Sequence, residues 1–364
     1  TGNVRSQALG KLGRRDEPLF WQVAGIVQSG TLAQVDRRLF DLLVRLETEA
    51  ESPVHVASLS AHTVVYKLRG AVESLGQYYP ELRNPEFQSS VTIGHSRYST
   101  NTLSIFPRVQ PFSILAHNGE INTIAKLRQE ALMLGATLVQ DGSDSQDLDR
   151  VLQTLICHHG FDLMEAMEII FPPILHEVDR LPAATQAVYR HYRRAFGPCS
   201  QGPAAILARY GDVCVFSVDA LGLRPLWFGE TDKEYFFSSE KGVIPLEMMN
   251  SDPRPLAPGE KMAALVHPGK APEILGYDRI RAWVTAQGEK RLAPLPQGRS
   301  SSAGPQIIAP LSSRPADGAA RQRRVAAMGW SREDLELLDH TARTGSELIG
   351  SLGYDGPLAA LART

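Results

Sequence analysis

The stretch between residues 203 and 266 constrains this chain most. Five short runs, PAAILARYG, VCVFSVDALG, LWFGE, EYFFSSEKG and EKMAALV, are apolar or alternate with a period of two, and each breaks at glycine or charge. That pattern predicts strands. The text just before it, residues 124–196, changes period. IAKLRQEALML, LMEAMEIIF and ATQAVYRHYRRAF place apolar residues at helical spacing, and Ser143-x-x-Gln146 is a capping-box signature opening another helix. Upstream, HVASLS, TVVYKLRG, VTIGHSRYST and FSILAHNG read as further strands, DRRLFDLLVRLETEA as an amphipathic helix, and AVESLGQYYPEL as helical text ending at Pro85. Strands, then helices, then strands predict an α+β fold with antiparallel sheets rather than βαβ alternation. No nucleotide-binding glycine fingerprint follows a strand.

The rest of the chain sets the domain organisation. Residues 291–325 are rich in Pro, Gly, Ser, Ala and Arg, the composition of a linker. Residues 326–364 resume a helix at Ser331-x-x-Asp334 and then reach a glycine-rich turn. We therefore divide the chain into a domain at 1–290, a linker at 291–325, and the first elements of a second domain at 326–364. With 38 basic and 40 acidic residues the net charge is −2, which favours neither nucleic acid nor a membrane surface. No apolar run approaches the roughly 18 residues of a membrane helix. Cys157, Cys199 and Cys214 are odd in number and far apart, unlike a disulfide framework or a metal site. The expected compartment is reducing: the cytoplasm or a plastid stroma.

Polar residues gather at the ends of the apolar runs between 94 and 146. HSRYST offers Arg97, HNGE offers the Asn118 amide and the Gly119 N–H, and GSDSQ offers Asp144. A glutamine-sized zwitterion needs this set. Its carboxylate wants a forked cation, its ammonium a carboxylate, and its amide oxygen, on cleavage, wants donors. Singly, each has an ordinary reading: Arg97 as a structural ion pair, Asn118-Gly119 as a hairpin turn, Asp144 as a charge at a helix start. Their conjunction within fifty residues points to a site.

The blocks HSRYSTNT, QPFSILAHNGEINT and DGSDSQDLDRVL resemble the glutaminase domain of glutamate synthases, which are class II, amino-terminal-nucleophile (Ntn) glutamine amidotransferases. So do VASLSAHTVVYKLRG, GPAAILARYGD, DALGLRPLWF, SSEKGV and LAPGEKM. MGWSREDLELLDHTARTGSELIGSLGYDGPLAAL is similar to the opening of the central domain that follows in those enzymes, and argues against other class II families. The resemblance implies an Ntn-type αββα sandwich of antiparallel sheets. It implies that Arg97 holds the glutamine carboxylate, Asp144 the α-amino group, and Asn118 with Gly119 the oxyanion. Thr100 and His117 line the same strand ends as substrate-binding or structural residues, and Gly222, Arg224 and Pro225 shape the rim. The parent reaction would hydrolyse glutamine and pass ammonia to 2-oxoglutarate. The later step would use FMN, an iron–sulfur cluster and electrons from ferredoxin or an NAD(P)H-oxidising subunit, with no cofactor or metal site in these residues. Glutamine and the remaining synthase domains are the expected partners.

The family's nucleophile is an amino-terminal cysteine, and no such cysteine stands here. Three readings follow: a fragment whose nucleophile lies upstream, a degenerate binding or scaffolding domain, or a nucleophile rebuilt on Thr1. Alone, the chain is expected to be inactive. After HNGEINT it also lacks a longer Asn- and Trp-containing segment that the family carries.

Overall fold

The computed structural model describes residues 4–51, 54–96, 105–197, 200–292, 318 and 332–345. The chain divides into two compact units, Thr1–Leu295 and Pro296–Thr364. In the first, the described residues form eight strands: β1 (Leu115–Gly119), β2 (Ala204–Tyr210), β3 (Val213–Val218), β4 (Trp227–Glu230), β5 (Tyr235–Ser238), β6 (Arg254–Pro255), β7 (Lys261–Leu265) and β8 (Glu273–Leu275). One sheet has the order β1-β2-β3-β7-β8 and the other β5-β4-β6, and every pairing is antiparallel. The described helices are α1 (Lys11–Arg15), α2 (Leu32–Glu49), α3 (Leu75–Tyr78), α4 (Ile124–Met133), α5 (Asp144–Cys157), α6 (Leu163–Ile170), α7 (Leu175–Val178), α8 (Ala183–Phe196) and α9 (Tyr277–Leu292).

The period-2 pleat sends alternate side chains of the larger sheet to two different cores. Ala204, Ile206, Ala208, Val215 and Ala263 pack with the helices. Ala205, Cys214, Phe216, Val218, Met262 and Ala264 pack with Leu226, Phe228, Phe237 and Leu256 around the smaller sheet. Phe216 and Phe237 stack across that gap with ring centroids 3.5 Å apart. Helices, larger sheet and smaller sheet thus lie in successive layers of an α+β sandwich. Strands buried on both faces lose clean alternation, which is why β2, β3 and β7 read as continuous apolar runs.

Helix α5 organises the helical layer. Its residues from Ser145 to Ile156 are all buried, so its polar groups must find partners inside. Asp149 accepts the N–H groups of Ile114 and Leu115 at 2.8 and 3.2 Å, which fixes the start of β1. Asp147 takes Arg128 at 2.7 Å, and Arg150 meets Glu47. The capping box read from the sequence is present: Ser143 Oγ accepts from Gln146 N, and Gln146 Oε1 from Ser143 N.

Three upstream expectations are corrected. Among the described residues, HVASLS, TVVYKLRG and the described part of VTIGHSRYST join no ladder, and side chains take several of their backbone donors. Val56 N–H goes to Glu47 Oε1, Val65 N–H to Ser58 Oγ, and His62 and Thr63 N–H to Ser60 Oγ. AVESLGQYYPEL is helical but broken: Pro80 ends α3 at Tyr78, and a 3-10 turn follows at Pro80–Arg83. Helix α9 had no expectation at all. Its buried face is only Ile280, Val284 and Gly288, too sparse a stripe to mark a helix. In the second unit the described helix is α10 (Arg332–Thr344), closed by Gly345 at φ +66°.

Gly288 sets the approach of α9 to α8. A Cβ there would lie 2.3 Å from Val188 Cγ1 and 3.2 Å from the Tyr192 hydroxyl. Gly288→Ala gains about 1 kcal/mol of helix propensity but forces a stiff valine aside, at a cost of roughly 1–3 kcal/mol. We expect the propensity gain to be cancelled or reversed, a net loss of up to about 2 kcal/mol in urea unfolding. A variant more stable than the parent by the full propensity gain of about 1 kcal/mol would mean the helices do not meet there.

Candidate active site

Strand β1 is the edge of the larger sheet, and an open edge needs cover. The side-chain amide of Gln110 provides it by imitating a neighbouring peptide. Its Oε1 accepts His117 N–H at 2.7 Å and its Nε2 donates to His117 C=O at 2.9 Å. Beyond β1 the backbone continues in a close antiparallel run with residues 201–204. Glu120 N–H reaches Pro203 C=O at 2.9 Å, and Asn122 N–H reaches Gln201 C=O at 2.8 Å. Two glycines permit this approach. Gly119 has φ +148°, and a Cβ there would sit 1.8 Å from Pro203 O; Gly202 has φ +141°, and its Cβ would sit 2.1 Å from Glu120 O.

The pleat separates the two polar residues at the end of β1. His117 turns to the helices, and Asn118 toward the smaller sheet. Asn118 Oδ1 accepts from Arg224 Nη2 at 2.8 Å, and Asn118 Nδ2 donates to Ser239 Oγ at 2.8 Å. Arg224 lies in the loop from β3 to β4, and Ser239 just after β5. That loop is wrapped around Asp219, whose buried carboxylate accepts the N–H groups of Leu221, Leu223, Arg224 and Ala204 at 3.0–3.2 Å. Ala204 is the β2 residue in register with Gly119.

On the other face, Asp144 opens α5. Its Oδ2 accepts Ile121 N–H at 3.1 Å, and its Oδ1 accepts Ser145 N–H at 2.7 Å. Ser145 Oγ lies 2.9 Å from His117 Nδ1. This Ser–His contact is not a nucleophile arrangement. Ser145 is 4% exposed, and Asp144 bonds the serine rather than orienting the imidazole. Burial pushes the His117 pKa down to about 4; His95 and Arg224 act in the same sense, against Asp144 and the Pro203 carbonyl. The imidazole is therefore neutral at physiological pH.

The described thiols are not activated. Burial pushes both Cys157 and Cys214 up to about 11, where a thiolate is scarce at neutral pH. Cys157 Sγ lies 3.8 Å from the Tyr210 hydroxyl, while its neighbour His158 binds Asp41 at 2.7 Å, so the two side chains serve different partners. Of the residues singled out in the sequence, Asn118, Gly119, His117 and Asp144 come together around the end of β1. Arg97 and Thr100 lie outside the described residues, as do Thr1 and Cys199. Sequence reasoning missed Gln110, Asp219 and Ser239. Asp219 carried a usable signal, since an aspartate at a strand end before Leu-Gly-Leu-Arg is placed to collect successive loop N–H groups.

An amidotransferase-like set at the end of an antiparallel sandwich has a counterpart among known families. Residues 2–273 match the family model described as glutamine amidotransferases class-II, and the chain belongs to that family. The relatives it is similar to include glutamate synthases. It is 32% identical over 336 residues to the glutamate synthase [NADPH] large chain of Azospirillum brasilense, covering 84% of this chain and 21% of that protein. It is 29% identical over 388 residues to the ferredoxin-dependent glutamate synthase of Cyanidium caldarium, covering 98% of this chain and 24% of that one. The chain thus spans about a fifth to a quarter of the length of these relatives. Among solved structures it is similar to the B. subtilis glutamine phosphoribosylpyrophosphate amidotransferase, with 20% identity and a TM-score of 0.33 over 50% of this chain and 34% of that one.

The buried histidine gives a pH test. Unfolded, His117 takes a proton near pH 6.5; folded, it does so only near pH 4. The unfolded state binds more protons between those values, so stability falls as pH drops through that window. His55, also pushed down by burial, adds to the loss. His117→Gln should lose about 1–3 kcal/mol less than the parent between pH 7 and pH 4.5, measured as urea midpoints. Equal losses would mean that the imidazole is solvated.

Proposed function

We propose that this chain carries the glutamine-binding and oxyanion-stabilising side of a glutaminase site, within a glutamate synthase. The observation that carries this reading is the setting of Asn118. Its oxygen is held by Arg224 and one amide hydrogen by Ser239, which leaves the second Nδ2 hydrogen, beside Gly119, for a ligand. In this reading the second hydrogen and the Gly119 N–H receive the oxyanion formed when a thiolate attacks the glutamine amide. Asp144 holds the α-ammonium, using lone pairs left over after Ile121 and Ser145. Arg97 holds the α-carboxylate bidentately, and Thr100 lines the same rim. His117 supports Asp144 through Ser145 rather than touching the ligand.

The attacking thiolate, with a free α-amine as base, would come from outside the described residues. Attack expels ammonia, which takes up the proton removed from the thiol, and water then releases glutamate from the thioester. Ammonia would aminate 2-oxoglutarate reductively elsewhere in the parent, where FMN, an iron–sulfur cluster and electrons from ferredoxin or NAD(P)H would act. Among the described residues no group of three or more His, Cys, Asp or Glu could hold a metal ion. Residues 1–290 would form the amidotransferase domain, 291–325 a linker, and 326–364 the entry to the central domain. Among the described residues no helix is long and apolar enough to cross a membrane; a cytoplasmic or stromal location fits the reading.

Steady-state glutamine hydrolysis by the intact native protein tests it. Asn118→Ala should lower kcat by roughly 10²–10³-fold with little change in KM, as expected when an oxyanion donor is lost. Asp144→Asn should chiefly raise KM, by roughly 10–100-fold, from the loss of a charged hydrogen bond. An Asn118→Ala protein with unaltered kcat would end the oxyanion assignment. Native protein that binds glutamine without hydrolysing it would select a degenerate binding domain instead.

A further inference from the structure

We propose that Arg224 and Ser239 are positioning residues that set which way the Asn118 amide faces. This inference rests on the oxyanion reading given above. A carboxamide is nearly symmetric in shape but opposite in polarity at its two ends, so packing alone cannot choose its orientation. A flipped Asn118 would present an oxygen to a developing oxyanion and repel it.

Guanidinium breaks the symmetry, because it has donors and no acceptor. With Arg224 Nη2 2.8 Å from Asn118, only the amide oxygen can face it, and the nitrogen must face Ser239 Oγ, also at 2.8 Å. The two anchors lie 106 and 121 residues downstream of Asn118, in segments that belong to neither β1 nor its partner β2. Local strand geometry therefore does not impose this setting.

Arg224 is itself held. Its N–H binds Asp219 Oδ2 at 3.1 Å, and the same oxygen takes Ala204 N–H at 3.2 Å. Ala204 pairs in register with Gly119. One carboxylate thus fixes both the loop that orients the Asn118 donor and the strand that carries the Gly119 donor. Asp219 sets the spacing of the pair. Arg224 has an electronic effect as well. A cation on the amide oxygen draws charge from the nitrogen and makes its free N–H a stronger donor.

Both the kinetics and the coupling are measurable in the intact native protein. Arg224→Met should lower kcat for glutamine hydrolysis by roughly 10–100-fold, the worth of a charged hydrogen bond, with KM changed less than about threefold. In an Asn118→Ala background the same substitution should do almost nothing further, because there is no amide left to orient. Ser239→Ala, which removes a single oxygen, should lower kcat alone by a lesser factor and be silent in the same background. Arg224→Lys keeps the donor and should recover part of the Met variant's loss. If Asn118→Ala lowers kcat while the Arg224 and Ser239 variants match the parent, the clamp is wrong and the oxyanion reading survives. Losses that multiply fully with that of Asn118→Ala also overturn the clamp. If Asn118→Ala is itself silent, the oxyanion reading has failed. Should Arg224→Met not fold, the Ser239→Ala and Arg224→Lys cycles decide on the same terms.

Discussion

The site depends on a single buried carboxylate. Asp219 directly follows β3, and from there it gathers the β3–β4 loop through the N–H groups of Leu221, Leu223 and Arg224 and reaches across to Ala204 of β2. Its backbone joins in, accepting Gly222 and Gly259 N–H groups at 2.9 and 2.8 Å. A buried carboxylate without donors would be costly, so the loop that supplies them is held to one conformation. That loop is the crossing between the two sheets. Whatever it carries, Arg224 included, is placed relative to both layers at once.

Helix α5 imposes the same kind of constraint from the opposite face. A helix buried all round gains little specificity from an apolar stripe, and here its aspartates supply the register. Asp149 takes the N–H groups at the start of β1, and Asp144 takes one just beyond its end. The strand is thereby held at both ends by one rigid element. Gln110 closes its free edge with an amide that matches a peptide in both donor and acceptor. Gln110, Asp144 and Asp149 thus bond to backbone around β1. Their first task is to hold the strand, and in the proposed reading the valences left on Asp144 face the ligand.

Much of the central architecture was legible because it follows period and capping. The strands from 204 to 265, the helices from 124 to 196 and the Ser143–Gln146 box each carry a local signature. Residues 55–70 misled because β-branched text predicts extended backbone but not a ladder. Whether an extended segment pairs depends on distant side chains such as Glu47 reaching its N–H groups first. Helix α9 was silent because Gly288 replaces bulk at the place where α8 comes closest. For the site, residue types at element ends pointed to Asn118, Gly119 and Asp144. Nothing local joined Arg224 or Ser239 to Asn118, since that relation exists only once the two sheets are packed.

The two faces of β1 also divide the electrostatic work. Toward the smaller sheet, Arg224 places a fixed cation one amide away from the proposed oxyanion, and a planar guanidinium cannot lose that charge. Toward the helices, Asp144 sits at the positive end of α5 beside a histidine that could compete for it. A charged imidazolium there would pair with Asp144 and occupy the carboxylate that an α-ammonium needs. Burial prevents this by keeping His117 neutral, while Ser145 bridges the two without neutralising either. In the proposed reading, the strand's alternation therefore separates a cation that assists the oxyanion from a neutral base that leaves Asp144 to the ligand. A one-residue slip of β1 would exchange these faces and lose both. The register held by Asp149, Gln110 and Asp219 is for that reason as much a part of the site as the residues that would touch glutamine.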